Sequence, residues 1–460
     1  MHVYVSAGII AAASLINTDV AWAQASPEFT KCAWPVELSP EGSGNFLAPD
    51  DRARYWLMPF DTAYQTMEIA GAYPNARYFS FVAYDGDATA RPSDTAAVHL
   101  YDTIIAPDEP SSDTPPADAS GNDSFTVYIT REGTTAANTI NVSSNYAWVA
   151  LRMYVPSPDP ALGGQALTGG VPLPTVTLYG ADGGQPEVLE PCPLPAPPEG
   201  DWYPVRSVNK LTDVNSFLQV LFPPGFELNQ PRDYDEPAGD RLWFAPPDKP
   251  PIVLMPNPDN KYIIMIPGPY QPGRLIVIHA KAATFSSAYA GPPYPAPGSE
   301  DADMRYWSVC NNDFALPIST VRCLTDQSVV TTDGYYTIVM SDDLVRPDWL
   351  PADVNWLPWG DEQYPKLIFY RHMIPVVDES EYADIPFAYA IQKVVVGCYE
   401  DACIHPEATI KFTLPDLPPR AEVTQAGPYV QEIMGDYYPV TAWCDKSTFE
   451  SGGWEACLAE

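Results

Sequence analysis

Along this chain the apolar residues come in short runs, not in long stripes with a 3.6-residue period. Residues 64–69, 78–84, 125–130, 146–155, 262–266, 275–280, 306–309, 335–340 and 366–373 are rich in Val, Ile, Tyr, Phe and Thr. These side chains suit a pleated, half-buried surface, so each run predicts a strand. Residues 391–396 predict another, and 175–179 reads as an edge strand. Helical periodicity is confined to 213–222, with Thr212 or Asp213 as cap and Pro223-Pro224 as stop, and to 381–392, which Pro386 interrupts. Many short strands with turn-rich connections predict an all-β fold built from β-sandwiches or jelly rolls, with short helices.

The strand pattern occurs twice. Pro49-Asp50-Asp51-Arg52 leads into Tyr55-Trp56-Leu57-Met58, and Pro258-Asp259-Asn260-Lys261 leads into Tyr262-Ile263-Ile264-Met265. Arg77-Tyr78-Phe79-Ser80 is answered by Arg305-Tyr306-Trp307-Ser308. Phe125 to Ile129 is answered by Tyr336 to Met340, and Leu151-Arg152-Met153-Tyr154-Val155-Pro156 by Tyr370-Arg371-His372-Met373-Ile374-Pro375. The repeat is too long for a solenoid unit and reads as two tandem copies of one domain. The expected division is a leader at 1–23, a first sandwich at 24–156, a Pro/Gly-rich connector at 157–202, a second sandwich with a helical lead-in at 203–375, and a cysteine-containing C-terminal extension at 376–460.

Composition supports packed domains. The 53 prolines and 28 glycines punctuate the chain, while 46% hydrophobic and 12% aromatic residues supply material for cores. Residues 3–16 form an apolar stretch too short to span a bilayer comfortably, and Ala21-Trp22-Ala23 fits a cleavage site, although the leader has no Lys or Arg. No other segment is long and apolar enough to cross a membrane. The expectation is a secreted or periplasmic protein. Its eight cysteines are even in number, and their spacing suggests Cys310 with Cys323, Cys398 with Cys403, Cys444 with Cys457, and Cys32 with Cys192. With no C-x-x-C pairs, no metal site is expected at the cysteines. A net charge of −35 argues against nucleic acid and anionic membranes as partners. Structural calcium is compatible with the carboxylate excess, but no loop of calcium-binding pattern locates it. No cofactor is identified.

The repeated segments resemble an uncharacterised bacterial domain, the domain-of-unknown-function family 1214, the C-terminal domain of the 1254/1214 proteins. The resemblance rests on Ala76-Arg77-Tyr78-Phe79-Ser80, Tyr84-Asp85, Val127-Tyr128-Ile129 and residues 151–156 in the first copy, and on residues 304–308, Asn355-Trp356-Leu357-Pro358 and residues 370–375 in the second. It covers about half the chain in two pieces. The first copy lacks Asn-Trp-Leu-Pro, and the second has Asn311-Asn312-Asp313 where the first has Tyr-Asp. The resemblance implies a jelly-roll-like β fold and no activity.

Candidate chemistry is sparse. There is no G-x-S-x-G elbow and no H-x-H or H-E-x-x-H spacing among His99, His279, His372 and His405. His279 and His372 lie on predicted strands of one copy; they are either a cupin-type pair or two ordinary imidazoles. Arg77, Arg152, Arg305 and Arg371 recur at matching positions in a chain with only 24 basic residues. An arginine inside an apolar strand is costly unless paired. One reading is an ion pair with a carboxylate such as Asp85 or Asp313; the other is a fork gripping an anionic ligand. Trp349, Trp356 and Trp359 cluster in a Pro-rich loop, either as a stacking platform for sugar rings or as a plug for the open end of the sandwich. With 59 acids, no carboxylate pair stands out.

The leading expectation is a secreted, non-catalytic binding or assembly protein recognising polysaccharide or a small anionic ligand. The alternative is a secreted hydrolase or lyase acting on an extracellular polymer. It would work between the repeats with Arg305, Arg371 and His372 as candidate catalytic residues.

Overall fold

The computed structural model describes residues 32–40, 44–86, 96–108, 123–156, 168–192, 231, 237, 239–245, 255, 257–285, 302–315, 318–375, 398–399, 402–403, 427–428, 430–431 and 434–459. The leader read at 1–23, both helical stretches, the strand at 391–396 and His405 lie outside the described residues.

The first half contributes β1 (Val36–Leu38), β2 (Ala53–Phe60), β3 (Tyr64–Ala72), β4 (Ala76–Gly86), β5 (Ala96–Tyr101), β6 (Ser124–Thr130), β7 (Thr139–Asn141), β8 (Tyr146–Pro156), β9 (Thr175–Gly180) and β10 (Glu187–Leu189). The second contributes β11 (Arg241–Leu242), β12 (Asn260–Met265), β13 (Arg274–Lys281), β14 (Met304–Asp313), β15 (Thr320–Thr325), β16 (Tyr335–Ser341), β17 (Asn355–Pro358) and β18 (Lys366–Pro375). β19 (Cys398–Tyr399) and β20 (Ala402–Cys403) pair with each other, and β21 (Val440–Asp445) precedes the helix α1 (Lys446–Leu458). The fold is all-β.

One strand order occurs in both halves. The first half has sheets β1-β2-β8-β4-β5 and β10-β9-β3-β6-β7; the second has β12-β18-β14-β15 and β11-β21-β13-β16-β17. Replacing β2, β8, β4 and β5 by β12, β18, β14 and β15 reproduces the second inner sheet; β1 is the added edge strand of the first. Register agrees too. Arg152 lies opposite Tyr55 on one side and Ser80 on the other, and Arg371 lies opposite Tyr262 and Ser308. The parallel β6–β7 pair is matched by the parallel β16–β17 pair.

Four sheets stack in layers. Side chains alternate across a strand, so each inner sheet serves two cores. On β8, Val149, Leu151 and Met153 pack into the core of the first sandwich, while Trp148, Ala150 and Tyr154 pack into a central cluster with Tyr262, Ile264, Tyr306 and Phe369 of the second half. On β14, Trp307 and Val309 face the core of the second sandwich, and Tyr306 and Cys310 face the centre. Burial on both faces explains why β2 and β14 read as unbroken buried runs. The outer sheet of the first half has one wet face, and β6 alternates accordingly.

Two boundaries differ from the sequence expectation. β9 and β10 come from the stretch read as a connector, yet they complete the first outer sheet, and β9 is an interior strand there. β21 comes from the stretch read as a C-terminal extension, yet it pairs with β13 as β9 pairs with β3. Each sandwich therefore closes with a strand from downstream of its repeat. α1 then lies over the second outer sheet, where Phe449 joins Leu275, Val277 and Val339, with Trp349, Trp356 and Trp454 packed around them.

Disulfides join Cys32 to Cys192, Cys310 to Cys323 and Cys444 to Cys457. The backbone register of β19 and β20 sets Cys398 opposite Cys403. Among the described residues, no helix is long and apolar enough to cross a membrane.

Candidate functional site

The seam between the two sandwiches collects most of the chemistry. Arg77 on β4 reaches across it, and its Nη1 lies 2.5 Å from Asp326 Oδ2, with both side chains fully buried. The pseudo-equivalent Arg305 on β14 reaches the other way, with Nη1 3.0 Å from Asp102 Oδ2. Arg305 Nη1 also donates to the Arg77 carbonyl at 3.0 Å. Each acid sits just past a strand end, held by its own half. The Asp102 amide donates to Phe79 O and the Asp326 amide to Trp307 O, both at 3.0 Å. The Phe79 and Trp307 amides donate back to the carboxylates at 3.3 Å. The arginines therefore exchange partners across the seam. Asp313, one carboxylate expected for them, instead pairs with Lys366 at 2.5 Å within the second half. Burial raises the Asp102 carboxyl to about 7 and the Asp326 carboxyl to about 6, against the opposing pull of Arg305 and Arg77.

The second arginine pair is less symmetric. Arg371 Nη2 donates to Ala48 O, and Arg152 Nη2 donates to Met255 O at 2.8 Å; Ala48 and Met255 occupy matching positive-φ positions. Arg371 Nη1 lies 3.6 Å from Asp50 Oδ2. Asp50 also accepts from Tyr306 Oη at 2.7 Å and Ser308 Oγ at 2.5 Å. At the place matching Asp50 the second half has Asn257, not the Asp259 that the Pro-Asp motif sets against it: the Asp50 amide meets the Tyr55 hydroxyl as the Asn257 amide meets that of Tyr262. Arg152 therefore faces an amide where Arg371 faces a carboxylate. A cavity of about 60 Å³ lies here, lined by both arginines, Asn257, Tyr55, Tyr154 and Tyr262 among others.

Sequence reasoning grouped Arg305, Arg371 and His372, and the structure separates them. Adjacent strand residues point to opposite faces. Arg371 faces the seam, while His372 is fully buried on the other face of β18, with its ring 4.0 Å from that of Tyr370 in the second core. Burial pushes the His372 imidazole down to about 3. His279 is on a different sheet, between the rings of Tyr335 and Trp454. The three tryptophans do not form one exposed row. Trp359 is buried against Trp443, Trp349 meets Phe449 edge-on, and Trp356 Nε1 donates to Ser341 Oγ at 2.9 Å. Among the described residues, one cluster has metal-ligand spacing, Asp50 with Cys310 and Cys323. Its two sulfurs are bonded to each other and offer no thiolate.

A second surface was not singled out from sequence. The wet face of the first outer sheet sets Thr177 on β9, Glu68 on β3 and Tyr128 on β6 in one row, and Tyr179 and Thr66 in the next, which ends at the buried Thr130. Tyr179 Oη donates to Glu68 Oε2 at 3.2 Å, and the Thr66 and Thr130 hydroxyls meet at 2.9 Å. Desolvation, then Glu68, raises the Tyr128 and Tyr179 phenols, which stay protonated donors. The period-2 placement of Thr and Tyr in residues 64–70 and 124–130 was the available signal.

No protein-family model matches the chain, and no curated protein matches it. Among solved structures, an uncharacterised protein from Burkholderia cenocepacia is 14% identical, with a TM-score of 0.44 over 76% of this chain and 81% of that one. The VPA0106 protein from Vibrio parahaemolyticus is 14% identical, with a TM-score of 0.34 over 71% and 85%. Likeness at that level assigns neither fold nor function.

Proposed function

We propose that this is an exported, non-catalytic binding protein that engages a neutral polysaccharide on the wet face of its first outer sheet. The observation that carries the reading is the contrast between the two outer sheets. The second is covered by the chain's own α1, whereas the first presents Tyr128, Tyr179, Glu68 and several threonines on a half-exposed face. Aromatic rings stack on the apolar faces of sugars, and hydroxyls with a carboxylate fix orientation by hydrogen bonds. A chain of net charge −35 favours a neutral polymer over an acidic one. Export is supported by the disulfides, which persist in oxidising compartments.

Affinity electrophoresis against neutral glucans, mannans and xylans tests this. The expected result is retardation by at least one polymer, weakened about tenfold or more in the Y128A/Y179A double variant. No retardation by any neutral polymer, or equal retardation of the double variant, refutes it.

A further inference from the structure

Among the described residues, the seam carries one buried cation with no carboxylate at ion-pair distance, Arg152. Arg152 is 3% exposed. Its Nη2 is occupied by Met255 O and the Tyr84 hydroxyl, but Nε and Nη1 have no acceptor among the described residues. No described carboxylate lies within ion-pair distance of it. The nearby Asp259 is engaged by Tyr78 Oη at 2.5 Å and His99 Nε2 at 3.1 Å. Asp50 is held by Tyr306, Ser308 and Arg371. The phenols around Arg152 do not balance its charge as phenolates, because burial raises Tyr84 to about 12 and pushes Tyr154 and Tyr262 upward as well. A buried, unbalanced guanidinium is strongly unfavourable.

Asn257 adds a second observation. It is 2% exposed and lines the same cavity. Its Oδ1 accepts from the Asp259 amide at 3.2 Å, which fixes the amide's orientation. Its Nδ2 is left without an acceptor. Three donor atoms, two cationic and one neutral, thus belong to residues lining one cavity of about 60 Å³. A cavity of that size has room for water or for a small ion in its place.

We infer that the inter-sandwich cavity is a binding site for one small monovalent anion, of chloride to acetate size, held by Arg152 and Asn257. The anion supplies the charge that Asp50 supplies to Arg371 at the matching position. Leu38, Phe46, Leu57, Ile318 and Phe369 wall the cavity. This site is independent of the polysaccharide face.

The test uses the full chain dialysed into gluconate, then titrated with chloride, bromide, formate or acetate at constant ionic strength while Tm is read. A saturable rise of a few degrees is expected for the small anions and none for gluconate. In Asn257→Asp the new carboxylate takes the anion's place, so the variant should fold, match the saturated wild type and lose the response. Bromide-soaked crystals should show an anomalous peak between Arg152 and Asn257. Equal responses in wild type and N257D, or a bromide-free cavity, overturn the inference. Neither result bears on glycan retardation.

Discussion

Replacing Asp326 by Ala removes the carboxylate of a fully buried pair and leaves the buried guanidinium of Arg77 without that partner. Losing one partner of a buried ion pair costs about 3–5 kcal/mol, because the remaining charge keeps its desolvation penalty. The same variant removes the acceptor of the Trp307 amide, a 3.3 Å contact that adds little. Replacing both partners by apolar residues, R77M/D326L, removes both charges and should land within about 1 kcal/mol of wild type or above it. The pair therefore specifies docking more than it adds net stability. The assay is urea unfolding at pH 8, where carboxyls at about 6 and 7 are ionised, followed by far-UV circular dichroism and tryptophan fluorescence. A cycle of R77A, D326A and the double alanine variant should give a coupling energy of about 2 kcal/mol or more. The matching cycle on Arg305 and Asp102 should give a similar value, since the two pairs exchange roles across the seam. A D326A cost below about 1 kcal/mol, with coupling under about 0.5 kcal/mol, would refute the view that these arginines lock the sandwiches.

Stability should rise between pH 8 and pH 5. Burial raises Asp51 and Asp102 to about 7 and Asp313 and Asp326 to about 6, from 3.8. Between those values the folded chain binds protons the unfolded chain does not, so their contribution is full below about 4 and lost as pH rises through 6–7. His372, depressed to about 3, opposes this below 6.5, but it is one group against four. A urea midpoint lower at pH 5 than at pH 8 would contradict the assignment. Removing the Cys444–Cys457 bond by double serine substitution should cost about 3 kcal/mol, the value for a loop of this length, and expose the second outer sheet to a dye such as ANS. Unchanged stability and dye binding would mean that α1 is held by packing alone.

The strand runs were legible because their residues are β-branched and aromatic and their borders carry Pro and Gly. β5 and β15 were not: Thr320-Val321-Arg322-Cys323-Leu324-Thr325 has no alternation, since it is an edge of a sheet buried on both faces. The acids that matter, Asp102 and Asp326, follow those two strands, so missing the strands hid the partners of Arg77 and Arg305. The repeat marked the four arginines, but matching positions do not reveal that each copy pairs with the other's acid, 249 residues away for Arg77 and Asp326. Trp349 and Trp356 looked like a platform for a similar reason. Phe449 and Trp454, which lie over that region, arrive about a hundred residues later on a helix with no strong periodic signal.

The seam has the form of a two-fold interface in which residue i meets j and j meets i. Under the correspondence of Arg77 with Arg305 and Asp102 with Asp326, each ion pair maps onto the other, as do the contacts of Arg152 with Met255 and Arg371 with Ala48. Such a contact is self-complementary and could form between two separate copies of one module. Joining the copies in one chain holds them at high effective concentration, so the contact no longer has to supply affinity by itself. It also removes a constraint. In a homodimer every substitution appears twice, so Asp at one side and Asn at the other cannot coexist. In the fused chain Asp50 and Asn257 do coexist, and α1 covers one outer sheet while the other stays wet. Two departures from two-fold equivalence thus fall at the inter-sandwich cavity and the tyrosine-threonine face, where among the described residues donors and rings are left over.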